Sequence, residues 1–310
     1  MATAFSPANS VTNTTGATFI PEIWSDEIIA AYKKNLVMAN LVKKMSFKGK
    51  KGDTMHIPKP TRGSASAKVS EAAVTLQAAT ESEITVNINK HYEYSRLIED
   101  ITSVQALASL RQFYTGDAGY ALAKQVDTDL VQVGRGAHGG NAANNQYAGG
   151  IIGSTGAAYT YGTSNAAPIA DAGIRKAIQL LDDQDVPMDG RVLVIPPVAR
   201  NSMMGLARFT EQAFTGETGG SNTIRNGQIG DVYGVKVYVS TNCDTAAGNT
   251  ATDRACLMFH KDWAVLAEQM GVRSQTQYMQ QYLATLYTAD TLYGVAELRD
   301  EAAIPLIVTA

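Results

Sequence analysis

Residues 83–94 read EITVNINKHYEY, and this stretch decides the fold. Its large apolar side chains fall on one side of a two-residue alternation, at Ile84, Val86, Ile88, Tyr92 and Tyr94. Successive side chains of a β-strand point to opposite faces, so the pattern predicts a strand with one apolar face. Such a strand needs a partner, and the chain offers one upstream.

The partner is residues 53–58, which read DTMHIP and alternate in the same way. Residues 59–82 between them are small and polar, which predicts an irregular tip on a long two-stranded arm. Pro58 and Pro60 have no backbone N–H to donate, so they protect the edge of this arm from pairing with other strands. Because an isolated hairpin is at best marginally stable in water, we expect the arm to lie on another surface, with a neighbouring subunit as the natural candidate.

The region before the hairpin divides into a polar arm and a helix. Residues 1–18 cannot bury enough apolar surface to fold alone, so we expect them to order only against something else. Pro21 suits the first position of a helix. Apolar side chains then recur at four-residue steps, at Trp24, Ile28, Tyr32 and Leu36.

The region after the hairpin begins with a long helix, predicted over 101–133, and a Gly-, Asn- and Ala-rich linker over 134–167. An α/β region follows. Its predicted helix carries apolar side chains at helical spacing, at Ile174, Ala177, Ile178 and Leu181. Its predicted strands cover 191–195, 235–240 and 255–259.

The last part of the sequence predicts one short helix and two strands. The helix is defined by Trp263, Leu266, Ala267 and Met270, with Gly271 able to end it. The strands follow from alternation over 272–278 and 304–308. The complete order predicts an α+β fold in which the region 137–260 is inserted into an elongated domain.

The composition narrows the class of protein. A net charge of −3 argues against nucleic acid as the main ligand, although a container need not grip what it encloses. No basic residue precedes Lys33 and no apolar run approaches the ~20 residues that span a bilayer, so we expect a soluble intracellular product without a membrane partner. Cys243 and Cys256 are compatible with one bridge, but free thiols are the commoner case in the cytosol.

Motifs that would indicate an enzyme are weak. Residues 134–139 read GRGAHG and match G-x-G-x-x-G, but a helix precedes them where a dinucleotide site needs a strand, so a linker is favoured. The aspartates at Asp182, Asp183, Asp185 and Asp189 lack EF-hand spacing and fit a helix end followed by a turn. The four histidines have no metal-ligand spacing. We predict no catalytic, cofactor-binding or metal-ligating residues.

One basic cluster stands out, at Lys43, Lys44, Lys48, Lys50 and Lys51. Two interpretations remain open. The cluster either meets an acidic neighbour or packaged DNA, or it is a solvated face at the base of the hairpin.

Several long strings in a fixed order resemble the major capsid proteins of tailed phages, which share the Hong Kong 97-like fold. The strings are FIPEIWSDEIIAAYKKNLVMANLV at 19–42, GKKGDTMHIPKP at 49–60, KHYEYSRLIED at 90–100, GYALAKQVDTDL at 119–130, VPMDGRVLVIPP at 186–197, FHKDWAVLAEQMGVRSQTQY at 259–278 and LYGVAELRD at 292–300. The likeness covers nearly the whole chain from residue 19 onward.

This resemblance implies a division into four parts. They are an N-terminal arm and helix over 1–44, an extended loop over 45–97, a peripheral domain over 98–136 and 261–310 built on a spine helix, and an axial domain over 137–260. The implied function is self-assembly into pentamers and hexamers of an icosahedral shell that encloses double-stranded DNA without reading its sequence. The shell would assemble in the host cytoplasm, with a separate scaffolding protein, a portal and, in some shells, a decoration protein.

The resemblance also implies which residues meet neighbouring subunits. They are Trp24, Tyr32, Lys59, Arg62, Lys68, Ile84, Val86, Tyr92, Tyr94 and Arg96. Two alternative functions remain. One is an encapsulin-like nanocompartment shell of the same fold, and the other is a cytosolic oxidoreductase using the glycines at 134–140.

Overall fold

The computed structural model describes residues 37–49, 51–60, 63–71, 73–74, 76, 81–100, 109–134, 136–138, 150–160, 166–206, 230–243 and 253–309. The predicted arm over 1–18, the helix from Pro21 and the contact residues Trp24, Tyr32 and Arg62 lie outside these ranges. Among the described residues, no helix is both long enough and apolar enough to cross a bilayer.

The described helices are α1 (Met38–Leu41), α2 (Ser109–Val133), α3 (Asp171–Asp183) and α4 (Pro197–Met204), with a 3-10 turn at Asp300–Ala302. The strands are β1 (Lys43–Ser46), β2 (Thr54–Pro60), β3 (Glu81–Asn87), β4 (Lys90–Glu99), β5 (Ile151–Ile152), β6 (Arg191–Ile195), β7 (Asp231–Val232), β8 (Val235–Val239), β9 (Arg254–His260), β10 (Ala264–Met279), β11 (Ala284–Glu297) and β12 (Ala303–Val308).

One sheet is four-stranded, with the order β1-β10-β11-β4. Helix α2 lies against one face of it, where Ala118 and Leu122 pack on Tyr287 and Ala289. The helix has 25 residues, so it is roughly 37 Å long. The prediction of a long helix is therefore confirmed over Ser109–Val133, while 101–108 lie outside the described residues.

The predicted hairpin is present as the two-stranded sheet of β2 and β3, in register from Thr54 opposite Asn87 to Pro60 opposite Glu81. The prediction of one continuous strand over 83–94 was wrong, because β3 ends at Asn87 and β4 begins at Lys90. Strand β4 pairs with β11 and not with β2. The chain thus changes sheets at Ile88, and a Cβ on Gly294 of β11 would overlap the backbone of Asn87 at this crossing.

A second sheet is six-stranded, with the order β5-β12-β9-β6-β8-β7. One of its two apolar faces is covered by α3 through Ile174, Ala177 and Leu181. The predicted helix and the strands over 191–195, 235–240 and 255–259 are confirmed, with strand ends shifted by one residue. The returning strand predicted over 304–308 is present as β12, which pairs with β9 in this sheet.

The predicted helix over Trp263–Met270 was wrong, because these residues begin strand β10. Ala264 and Leu266 face one core cluster, together with Trp263. Val265 and Ala267 face another, beneath the hairpin. A strand buried on both faces shows no two-residue alternation, which is why its apolar run was mistaken for a helical pattern.

Candidate assembly surfaces

The hairpin of β2 and β3 has mostly exposed residues. Lys59 and Glu81 are exposed, and Ile84 is half-buried. Val86 is fully buried against Val265 and Ala267, so its side chain serves the core of its own subunit. Val86 therefore fixes the hairpin to its own subunit, whereas the end of the hairpin at Pro60 is exposed.

A cleft of about 810 Å³ separates the hairpin from the rest of the subunit. It is lined by Ile57, Pro58 and Ile84 of the hairpin and by Val186 and Leu298 from other parts of the chain. Charged side chains of both signs also line it, at Lys43, Lys59, Asp185, Asp262, Arg299 and Glu301. This mixture is typical of a protein contact surface rather than of a phosphate site.

The described part of the hairpin tip carries apolar side chains in water. Val69, Val74 and Leu76 are 68%, 69% and 90% exposed. Lys68 is exposed beside them, and its Nζ donates a hydrogen bond to the carbonyl oxygen of Val69 at 2.8 Å. Three large apolar side chains exposed within eight residues of one segment favour a contact surface.

Three of the residues expected to meet neighbours make contacts inside the subunit. The rings of Tyr92 and Tyr293 lie 6.0 Å apart. The Tyr94 hydroxyl donates to Asp117 at 3.1 Å. The Arg96 guanidinium lies 5.7 Å from the Tyr94 ring centre and 5.4 Å from that of Tyr114. Arg96 is exposed, so it can also reach a neighbour, and its intermolecular role stays a prediction.

Two buried carboxylates of α2 hold the start of the described chain and the sheets together. Asp127 accepts hydrogen bonds from the backbone N–H of Met38 at 2.8 Å and from Asn242 Nδ2 at 3.0 Å. Burial raises the pKa of Asp127, while these donors act in the opposite direction. Residues 37–39 are thereby fixed to the long helix and to the loop after β8.

The second carboxylate, Asp129, accepts a hydrogen bond from the Tyr293 hydroxyl at 2.7 Å and pairs with Lys90 Nζ at 3.1 Å. Burial and this hydrogen bond raise the pKa of Tyr293 well above its usual range, so the hydroxyl remains a donor. Sequence reasoning missed both aspartates. Their partners lie 89, 115 and 164 positions away, so no local pattern marks them.

The comparisons with known proteins agree with a shell-forming architecture. A family model described as phage capsid protein matches residues 25–306. The chain belongs to the phage capsid protein family. The match includes the whole four-stranded sheet, the hairpin and all of the six-stranded sheet except the last two residues of β12.

Solved structures show the same fold for this capsid protein. A chain of Mycobacterium phage Che8 is similar with a TM-score of 0.72 and 22% identity, over 93% of this chain and 97% of that one. A chain from the capsid of cyanophage P-SCSP1u is similar with a TM-score of 0.75 and 19% identity, over 99% of each chain. A chain from the capsid of a native GTA particle is similar with a TM-score of 0.66 and 13% identity, over 97% of this chain and 99% of that one. No curated protein matches the sequence significantly.

The acidic cluster of the capsid protein has a structural explanation. Arg191 is buried, pairs with Asp182 at 2.7 Å and donates to the carbonyl oxygen of Pro187 at 3.0 Å. The guanidinium thus closes the turn between α3 and β6. Within the described ranges, no group of three or more His, Cys, Asp or Glu side chains could hold a metal ion.

The remaining candidates of the capsid protein are also explained by the fold. A helix precedes Gly134, as the sequence suggested. Cys243 and Cys256 are not joined by a disulfide, and burial raises the pKa of Cys256 well above its usual range.

Proposed function

We propose that this capsid protein is the major building block of an icosahedral shell with the Hong Kong 97-like architecture, and that the shell encloses the double-stranded DNA of a tailed phage. The family match over residues 25–306 carries this proposal. It favours a phage shell over an encapsulin-like compartment and a structural role over an oxidoreductase. The net charge of −3 suits a container that encloses DNA without sequence-specific binding.

The proposed division follows the two sheets. Residues 45–97 form the extended loop, and α2 serves as the spine helix of a peripheral domain with β10 and β11. Residues 137–260 form the axial domain around the five- and six-fold centres. Since β12 pairs with β9, we place residues 303–308 with the axial domain.

The mechanism is association through many modest contacts that closed symmetry makes cooperative. The exposed apolar tip at Val69, Val74 and Leu76 lies across an adjacent subunit. Lys59, Lys68, Ile84 and Arg96 are the described residues that we expect at this contact, with Trp24, Tyr32 and Arg62 beside them. We expect the polar arm over residues 1–18 to order on the neighbour as well.

Assembly takes place in the host cytoplasm on a separate scaffolding protein, with a portal at one vertex. The first test is negative-stain electron microscopy of the purified chain, with and without co-expressed scaffolding protein. Closed particles or capsomer rings support the proposal. A uniformly small monomer or dimer under both conditions contradicts it.

A deletion tests the role of the loop. Removing residues 62–80 is expected to leave a subunit with unchanged circular dichroism that no longer forms particles, because β2 and β3 remain paired below the deletion. Normal particles from this variant would refute the role of the tip.

A further inference from the structure

The C-terminal half of β10 has one strand edge that no described element covers. Strand β1 pairs with β10 only from Val265 to Glu268. From Arg273 to Met279, β11 is the one partner of β10 among the described residues. All residues from Val272 to Tyr278 are exposed, so the described part of the chain leaves this edge open to water.

Proteins usually protect such edges, and this chain does so elsewhere. Strand β2 carries Pro58, Lys59 and Pro60. Strand β4, at the other edge of the same sheet, carries four charged side chains, at Lys90, Glu93, Arg96 and Glu99. These are the devices that prevent edge-to-edge association.

The open edge of β10 lacks them. Residues 272–278 read VRSQTQY, without proline or lysine. Arg273 is the one charged residue among them, and it is paired within its own subunit. Its Nη2 and Nε donate hydrogen bonds to Asp290 at 2.7 and 3.1 Å. His91 Nε2 lies 3.2 Å from the same carboxylate. An unprotected, neutral edge is a template for another strand.

The segment is also complementary to itself. If two copies pair antiparallel about a two-fold axis at Gln275, Val272 lies opposite Tyr278 and Arg273 opposite Gln277. Ser274 then lies opposite Thr276, and the two Gln275 side chains face each other. β-Branched and aromatic residues, and pairs of hydroxyl residues, are favourable cross-strand neighbours. No two like charges meet.

We propose that residues 272–278 form a two-fold contact between two copies of this capsid protein, in which the β10 strands pair antiparallel and join the two four-stranded sheets into one. This inference rests on the proposed function, since it names one contact by which subunits of the shell are joined. A two-fold contact uses the same patch on both copies, which a self-complementary segment satisfies.

Site-specific disulfide formation tests the register. Directly opposed residues of antiparallel strands have Cα atoms about 4.5–5.5 Å apart, within the range of a disulfide. Gln275→Cys in a Cys243→Ser background is expected to give a disulfide-linked dimer that doubles the apparent mass on a non-reducing gel. Cys256 stays in place because it is fully buried.

Val272→Cys is the matched control on the same exposed edge. In the proposed register its two copies are six residues apart along the strands, or about 20 Å, so it should not link. Dimer from Gln275→Cys and none from Val272→Cys supports the contact. Dimer from both, or from neither, overturns it.

A charge exchange gives a second, independent measurement. Gln275→Lys alone and Gln275→Glu alone are each expected to lower the yield of particles about tenfold, because like charges directly opposed across strands are destabilising. Co-expression of the two variants is expected to restore the yield. Failure of restoration contradicts the two-fold register.

Particle formation by the unaltered chain separates this inference from the proposed function. Particles without the Gln275→Cys dimer leave the capsid function intact and refute the β10 contact. A Gln275→Cys dimer without particles keeps the contact and refutes shell assembly. Absence of both refutes both.

Discussion

The carboxylate of Asp127 accepts a hydrogen bond from the backbone N–H of Met38 at 2.8 Å, across 89 positions of the chain. The contact is buried, and Asn242 Nδ2 donates to the second carboxylate oxygen at 3.0 Å. One side chain of the long helix therefore fixes the start of α1 and the loop after β8.

Replacing Asp127 by alanine should destabilise the subunit by about 2–3 kcal/mol, because the N–H of Met38 and the amide of Asn242 lose a charged acceptor in a buried place. Urea unfolding of the dissociated subunit measures the change. Asp183→Ala is the matched control, since Asp183 is exposed at the end of α3, and it should change stability little. If Asp127→Ala lowers the free energy of unfolding no more than Asp183→Ala does, the Asp127 contact does not contribute to stability.

Glu297 should make stability depend on pH near neutrality. Burial raises its pKa to about 7, and Asp300 and Glu301 add to the rise, whereas the hydrogen bond from Trp263 Nε1 at 2.9 Å lowers it. The folded state therefore binds a proton that the unfolded state has already released. Stability contributed by this group falls as pH rises from about 4.5 to about 7.

The measurement is the free energy of unfolding of the unaltered chain and of Glu297→Gln at pH 5 and pH 8. Because Glu297 is only partly buried, the difference between the two proteins should change by roughly 1–2 kcal/mol between these pH values, in favour of Gln at pH 8. Other titrating groups cancel in this comparison. A difference that does not change with pH contradicts the raised pKa.

Two helical glycines should respond to alanine in opposite ways. A Cβ on Gly173 of α3 would overlap the backbone of Gly153, so Gly173→Ala should cost about 3 kcal/mol. A Cβ on Gly119 of α2 meets no described atom within 4 Å, so Gly119→Ala should stabilise the subunit by about 0.5–1 kcal/mol. Thermal unfolding of both variants decides this, and destabilisation by Gly119→Ala would mean that α2 needs a glycine there.

The Tyr293 hydroxyl should contribute more to stability than that of an exposed tyrosine. Tyr293→Phe removes a 2.7 Å hydrogen bond to the buried Asp129, which is expected to cost about 1.5–3 kcal/mol. Tyr282→Phe serves as the control, because Tyr282 is 60% exposed at the turn between β10 and β11. Chemical denaturation of both variants should show a clear loss for Tyr293 only. An equally small loss for both would mean that Lys90 and Gln125 satisfy Asp129 without the Tyr293 hydroxyl.

Much of the fold could be predicted from the sequence for elements that have one buried face and one solvent-exposed face. The hairpin alternates because one side of it faces water, and α3 shows helical spacing because Gln179 and Arg175 are exposed while Ala177 and Leu181 are buried. Long strings in order also carried the family resemblance, which the match over residues 25–306 confirms. Local patterns suffice for such features because burial on one side imposes a period.

The tertiary structure alone decided what depends on burial from two sides or on distant partners. Strand β10 starts between two cores, so its apolar run carries no period. The break after Asn87 follows from strand pairing with β11, and β12 joins the six-stranded sheet through β9. In the sequence, Asp127 is not distinguishable from other helical aspartates, because its partners Met38 and Asn242 lie 89 and 115 positions away. Periodicity is a local property of the chain, whereas the pairing of edges and buried charges is settled only when distant segments meet.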